Sequence, residues 1–249
     1  MTFTQSDFEI RCEWGEHGIS VLAPISDLVI IVDVLSFSTC VEIATSRGAV
    51  VFPYRGQEVT DFGRAGSSAP WTGAEFAGFQ RSASRYSLSP QSLTTIPEGM
   101  QLVLASRNGS VLSLATGATP TLAGCLRNAR AVAFSAQRSG RRIAIIPAGE
   151  RWRSDNSLRP CFEDLIGAGA IINRLTGSLS PEAQVALVAF KAARSQLNDL
   201  LLRCGSGKEL VEKGFAQDVL LAGELNVSDC VPKLIHGGYM AVSNAGHSE

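Results

Sequence analysis

Asp33, an aspartate inside the apolar run VIIVDVL, is the residue whose position most needs a chemical reason. Moving a carboxylate out of water is costly unless the group sits at a strand edge or meets a cation. Asp33 therefore reads as a metal ligand or catalytic carboxylate, with a helix-capping or turn carboxylate as the alternative. Ser36, Ser38 and Thr39 follow where the chain should turn from strand into helix. Free N–H groups at such a turn bind phosphate and a hydroxyl adds a donor, although Ser and Thr also cap helices with no ligand present. The GxxxxGK[ST] pattern of a P-loop is absent.

Ser106-Arg107-Asn108-Gly109-Ser110 is a second anion candidate. Asn108 and Gly109 tolerate tight backbone conformations that aim successive N–H groups at one oxygen cluster, and Arg107 could add a charge-assisted contact. The plainer reading of an Asn-Gly pair is a turn. Glu163 and Asp164 open a strongly apolar helix, where they favour the helix dipole or face inward as hard oxygen ligands for magnesium. Glu75, Glu150 and Asp218 are similar candidates, each beside glycine or a short loop. Cys40 adjoins the first candidate loop, but no histidine base is near it in sequence. His17, His236 and His247 are too far apart for compact metal spacing.

The elements that must carry these groups follow from the hydrophobic pattern. Leu28 to Val34 is apolar except for Asp33, as a parallel strand covered on both faces requires. Ser38 to Arg47 reads as a helix stopped by Gly48, and Ala49 to Pro53 returns as a strand. From Tyr54 to Thr95 the pattern weakens, and RSASRYSLSPQS, starting at Arg81, reads as an irregular surface or active-site segment. Gln101 to Ala105 and Ile143 to Ile146 read as strands running into polar loops, with a helix opening at Val111 to Ala115. Strand-to-loop transitions of this kind place polar groups at the carboxyl ends of strands, where open α/β sheets bind ligands. Phe162 to Leu175, Pro181 to Leu202 (one helix or two), Lys208 to Lys213 and Gln217 to Glu224 read as helices. The expectation is a layered α/β/α architecture over residues 1–249, in two closely associated lobes with a boundary near 140–150.

Composition bounds the function. With 22 Lys plus Arg against 23 Asp plus Glu, no global field draws the chain to nucleic acid or an anionic membrane, so an anionic partner must be recognised locally. Apolar runs such as LVIIVDVL fall far short of the ~20 residues of a membrane helix, and the amino-terminal stretch does not read as a signal peptide. Six scattered cysteines without close spacing fit reduced thiols in a cytoplasmic protein.

Asp33-Val-Leu-Ser-Phe-Ser-Thr39 resembles the DVLRAST-type element of the 2-phosphosulfolactate phosphatase family. Gly73-Ala-Glu75, Ser89-Pro90, Arg107-Asn-Gly-Ser110, Pro147-Ala-Gly149, Phe162-Glu-Asp-Leu-Ile-Gly-Ala-Gly169, Gly214, Asp218-Val219 and Val231-Pro232 are similar to later family elements in the same order. The resemblance implies an α/β fold, magnesium-dependent removal of phosphate from a small acidic metabolite, and a homodimer. It implies Asp33, Glu163 and Asp164 as catalytic groups, and Asp33, Glu75, Glu163, Asp164 and Asp218 as metal-side carboxylates. Ser36, Ser38, Thr39, Arg107, Asn108 and Gly109 would face the substrate. Ser36 stands where the family element commonly has arginine, which favours the competing reading of a divergent, non-catalytic binding protein for an anionic metabolite.

Overall fold

The computed structural model describes residues 2–55, 73–78, 81 and 84–242. His247 and part of the weakly patterned stretch from Tyr54 to Thr95 lie outside them. The first half of the chain carries β1 (Ile10–Cys12), α1 (Gly15–Leu22), β2 (Leu28–Val32), α2 (Phe37–Ser46), β3 (Val50–Tyr54), β4 (Glu75–Phe76), α3 (Pro90–Leu93), β5 (Gln101–Ala105) and α4 (Gly109–Ser113). Next come β6 (Thr121–Gly124), α5 (Ala129–Ser139), β7 (Ile143–Pro147), β8 (Glu150–Arg151) and β9 (Leu158–Arg159). The remainder is α6 (Phe162–Ile172), α7 (Pro181–Ala193), α8 (Leu197–Arg203), α9 (Gly205–Glu212), α10 (Ala216–Ala222), β10 (Val231–Ile235) and β11 (Gly238–Val242).

This is a layered α/β/α fold whose character is set by β2. All five of its residues are buried, and they alternate between two cores. Val29 and Ile31 pack with Ile19 and Leu22 of α1 and Leu112 of α4, whereas Leu28, Ile30 and Val32 face Val132 of α5 and Ile166 and Ile171 of α6. A strand covered on both faces needs apolar residues at every position. Each such side chain contributes roughly 1.5–3 kcal/mol by leaving water.

Among the described residues one sheet has nine strands, in the order β1-β7-β2-β6-β10-β11-β3-β5-β4. Its blocks β1-β7-β2-β6 and β3-β5-β4 are each parallel. The β10–β11 hairpin joins them through antiparallel pairs, Lys233 with Leu122 and Tyr239 with Val51. By pairing alone β5 runs opposite to β2. The loop after β5 nevertheless reaches the end of β2, where the Gly109 N–H meets Asp33. Residues 140–150, where the sequence suggests a lobe boundary, include β7, which pairs with β1 on one side and β2 on the other. Among the described residues no helix is long and apolar enough to cross a membrane.

Two close approaches set the geometry of the site. Gly167 in α6 lies against β2, where a Cβ would sit 2.6 Å from Val34 Cγ2 and 2.9 Å from Val32 Cγ1. Gly109, the first residue of α4, has no room either: its Cβ would lie 2.3 Å from the Phe37 ring and 2.8 Å from Asp33 Oδ2. Small residues at these points let α6 and the start of α4 meet the end of one strand.

Candidate active site

Asp33 ends the β2 segment with 5% of its surface exposed. Its Oδ1 accepts the Phe37 N–H at 3.1 Å, at the start of α2, and its Oδ2 accepts the Gly109 N–H at 2.8 Å, at the start of α4. The Ser106 hydroxyl donates more weakly to Oδ2, at 3.4 Å. Asp33 thus joins two helix starts, so the capping geometry is real. Burial nevertheless raises its pKa to about 6, helped by the negative charges of Glu150 and Glu163 and opposed by the two N–H donors.

Asp164 performs the same service from α6. Its Oδ1 accepts the Val34 N–H and its Oδ2 the Gly149 N–H, both at 2.8 Å, which pins the ends of β2 and β7 to one carboxylate. Burial, then the charges of Asp33 and Glu163, holds its pKa well above the ordinary range. Glu163 beside it is also buried, and its Oε2 accepts the Cys204 thiol at 3.4 Å. Glu150 follows β7, and its Oε1 accepts from Asn108 Nδ2 at 3.0 Å. Loops after β2, β5 and β7 therefore meet around acidic groups whose charges, after burial, help to raise the pKa values of Asp33 and Asp164.

Other candidates have different duties. Ser38 Oγ donates to the Ile31 carbonyl at 3.1 Å and accepts the Asp33 N–H, while Thr39 Oγ1 donates to the Val34 carbonyl at 2.7 Å. Both hydroxyls brace the turn from inside. The Phe37 and Gly109 N–H groups are likewise directed at Asp33, so the amino end of α2 is occupied by the chain's own carboxylate. Glu75 is exposed on the edge strand β4, opposite Leu102. That is four residues before Ser106, or ~13 Å along the strand. Among the described residues no three His, Cys, Asp or Glu side chains form a ready-made metal cage, so the five carboxylates do not converge as one ligand set.

Asp218 is an anchor for arginine. Its Oδ2 pairs with Arg81 Nη1 at 2.7 Å, and its Oδ1 accepts from Ser89 Oγ at 2.6 Å and from the Gln91 N–H at 3.0 Å. Arg81 also lies over the Phe215 ring and donates from Nη2 to Ser36 Oγ at 3.1 Å. A guanidinium thus reaches position 36 from elsewhere in the chain, which removes much of the force of having serine there. The segment beginning at Arg81 drew attention in the sequence, but this pairing did not. Cys40 is fully buried, and burial pushes its thiol well above the ordinary range, against a nucleophilic role.

Beside Glu150 opens a cleft of about 810 Å³, lined by Arg107, Arg151, Arg153 and Arg159 together with Trp152 and Glu150. Arg107 is exposed on the loop between β5 and α4. The other three arginines come from the β8–β9 ribbon and its turn. Sequence reasoning missed them, although three arginines within residues 151–159, directly after Pro147-Ala-Gly-Glu150, were a usable signal.

A buried acidic floor beside an arginine-lined wall suits an enzyme that handles an anion. Comparison with known proteins points the same way. The profile of the family described as 2-phosphosulpholactate phosphatase matches residues 20–237. A probable 2-phosphosulfolactate phosphatase of Carboxydothermus hydrogenoformans is 30% identical over 209 residues, covering 82% of this chain and 85% of that protein. The 2-phosphosulfolactate phosphatase of Methanothermobacter thermautotrophicus is 29% identical over 210 residues, covering 83% of this chain and 86% of its own. A probable 2-phosphosulfolactate phosphatase of Gloeobacter violaceus is 26% identical over 222 residues, covering 86% and 91%. With the profile spanning the β2 turn, the Arg107 loop, the β8–β9 ribbon and Asp218, the chain belongs to the 2-phosphosulfolactate phosphatase family.

Proposed function

We propose that this protein hydrolyses the phosphate ester of a small acid, 2-phosphosulfolactate, to 3-sulfolactate and phosphate, with magnesium as cofactor. The observation that carries the reading is the contact between Asn108 and Glu150 at 3.0 Å, which joins the carboxylate floor to the arginine cleft. A pocket meant only to hold an anion gains nothing from buried carboxylates at its base. A hydrolase needs both signs of charge, one for the phosphoryl oxygens and one for the cation and the proton.

The donor set fits magnesium. Asp33, Glu163 and Asp164 offer hard oxygens, and Asp33 and Asp164 have raised pKa values, first because they are buried and then because carboxylates neighbour them. Magnesium commonly takes one or two carboxylates and fills the rest of its shell with water and substrate oxygen, so a three-ligand protein cage is not required. Glu163 and Asp164 would hold it, and when bound it would supply positive charge to the phosphoryl oxygens. Asp33 accepts a proton from the attacking water, a role suited to a carboxylate whose pKa is about 6. Asn108 and Gly109 fix the β5 loop on Glu150 and Asp33, and Arg107 binds phosphoryl oxygen from the cleft side.

Phosphate release from 2-phosphosulfolactate, measured with magnesium and with excess chelator, tests this directly. Magnesium-dependent release supports the assignment. Tight binding of the compound with no release under either condition would transfer the protein to the non-catalytic reading.

A further inference from the structure

The four cleft arginines fall into two classes. Arg151 forms an ion pair with Glu16 and donates to the Asn156 carbonyl at 3.2 Å, and Arg153 pairs with Glu209 at 2.8 Å. Arg107 and Arg159 have no carboxylate partner among the described residues. Arg107 is already accounted for, since it rises from the loop that meets Asp33. Arg159 is not.

Arg159 is half-buried and, among the described residues, held in place by neutral groups. Its Nη2 donates to Ser206 Oγ at 3.1 Å, its guanidinium carbon lies 5.7 Å from the centre of the Trp152 ring, and its Nη1 is 3.4 Å from where a Cβ on Gly205 would stand. A hydroxyl and an aromatic face orient a guanidinium without cancelling its charge. The residue opposite Arg159 in the β8–β9 ribbon is Glu150, an obvious partner. Yet Glu150 Oε1 is engaged by Asn108 Nδ2 and by the Arg151 N–H, at 3.0 and 2.9 Å. The carboxylate that could neutralise Arg159 is turned instead to the loop that meets Asp33.

We propose that Arg159 determines specificity by binding a second acid group of the substrate, sulfonate or carboxylate, while the phosphoryl group lies at the Arg107–Gly109 loop. The inference rests on the phosphatase reading and deepens it. Arg159 is paired across the ribbon with Glu150, the residue that touches Asn108, so it lines the same cleft one strand away from the phosphoryl loop. Of the cleft arginines, Arg159 alone combines a fixed orientation, no ion pair among the described residues and a place beyond the reacting end. Its guanidinium also suits the planar, bidentate recognition of a sulfonate or carboxylate.

Arg159→Gln and Arg159→Lys test the assignment, with inorganic phosphate as a probe lacking a second acid group. In Arg159→Gln the KM for 2-phosphosulfolactate and the inhibition constant of 3-sulfolactate should each rise ~10-fold or more. The kcat and the inhibition constant of inorganic phosphate should stay within about threefold, and Arg159→Lys should recover part of the loss. Equal weakening of phosphate and 3-sulfolactate, or an unchanged KM, overturns the assignment. If the wild-type protein releases no phosphate at all, the phosphatase reading fails separately, and calorimetric titration with 3-sulfolactate decides Arg159. Binding by the wild type that is lost in Arg159→Gln then upholds the role. Binding that is equal in the two, or absent from both, removes it.

Discussion

Asp33 and Arg107 occupy neighbouring loops, yet their charges are held by opposite means. Asp33 is almost wholly buried, fixed by two backbone N–H donors from two helix starts and pressed by other carboxylates. Arg107 is exposed, and among the described residues no hydrogen bond or ion pair restrains its side chain. A charge fixed by main chain cannot be moved without moving the fold, whereas a charge on a loop side chain can be exchanged at small structural cost. The floor is therefore hard to alter without disturbing the fold, and the wall is the place where specificity can change.

That contrast can be broken most forcefully at Asp33. Asp33→Asn should lower kcat by about 10²–10⁴-fold, the usual share of a proton-accepting carboxylate. Its amide presents one acceptor where two N–H groups point, so the melting temperature must be measured alongside. Wild-type turnover in Asp33→Asn would remove Asp33 from the chemistry.

Asp218→Ala comes next. It strands Arg81 and unpairs Ser89 and the Gln91 N–H, and should cost about 3 kcal/mol of stability, the low end for breaking a buried pair because Arg81 keeps some contact with water. Denaturant unfolding measures this, and a change below about 1 kcal/mol would mean that the anchor is dispensable. Arg107→Ala sharpens the contrast from the other side: KM should rise ~10-fold with little change in melting temperature. A matching loss of stability would show the arginine to be a structural residue.

The smallest effect is on the pH dependence of stability. In the unfolded chain a carboxyl ionises near pH 4, whereas Asp33 in the fold does so at about 6 and Asp164 is likewise held well above the ordinary range by burial. Between those values the folded protein keeps protons that the unfolded chain has lost, so raising the pH favours unfolding. With chelator present, the contribution of these groups to stability should fall from about pH 4 upward, through the Asp33 value of about 6. Magnesium should flatten that decline by stabilising the ionised carboxylates. A decline identical with and without magnesium would argue against binding at these residues.

Much of the framework was legible in the sequence because it follows apolar runs. Gln101 to Ala105 was read at its observed bounds, and β2 was read two residues too long at its carboxyl end. Pro181 to Leu202, read as one helix or two, divides into α7 and α8 around a short 3-10 turn. The strands β1, β4, β6, β8, β9, β10 and β11 and the helices α1, α3 and α5 were not read. β1 and β6 span three and four residues, too short for a period to declare itself. Asp33, Glu163 and Asp164 were traceable because a carboxylate in an apolar context is conspicuous. Residue type alone could not say that the Ser38 and Thr39 hydroxyls turn inward, nor that Asp218 holds Arg81 against Ser36. Those outcomes depend on contacts between residues as much as 137 positions apart.

The β10–β11 hairpin has a consequence for synthesis. Both parallel blocks are encoded by residue 147, and the hairpin that joins them begins at residue 231, 84 positions later (231 − 147). At 5–20 residues per second a ribosome takes roughly 4–17 s to make that interval. Throughout it the facing edges of β6 and β3 lack their partner strands, the kind of surface through which nascent chains join one another. The two halves of this sheet are thus translated early and stitched together late, and their exposure in between is set by the pace of translation.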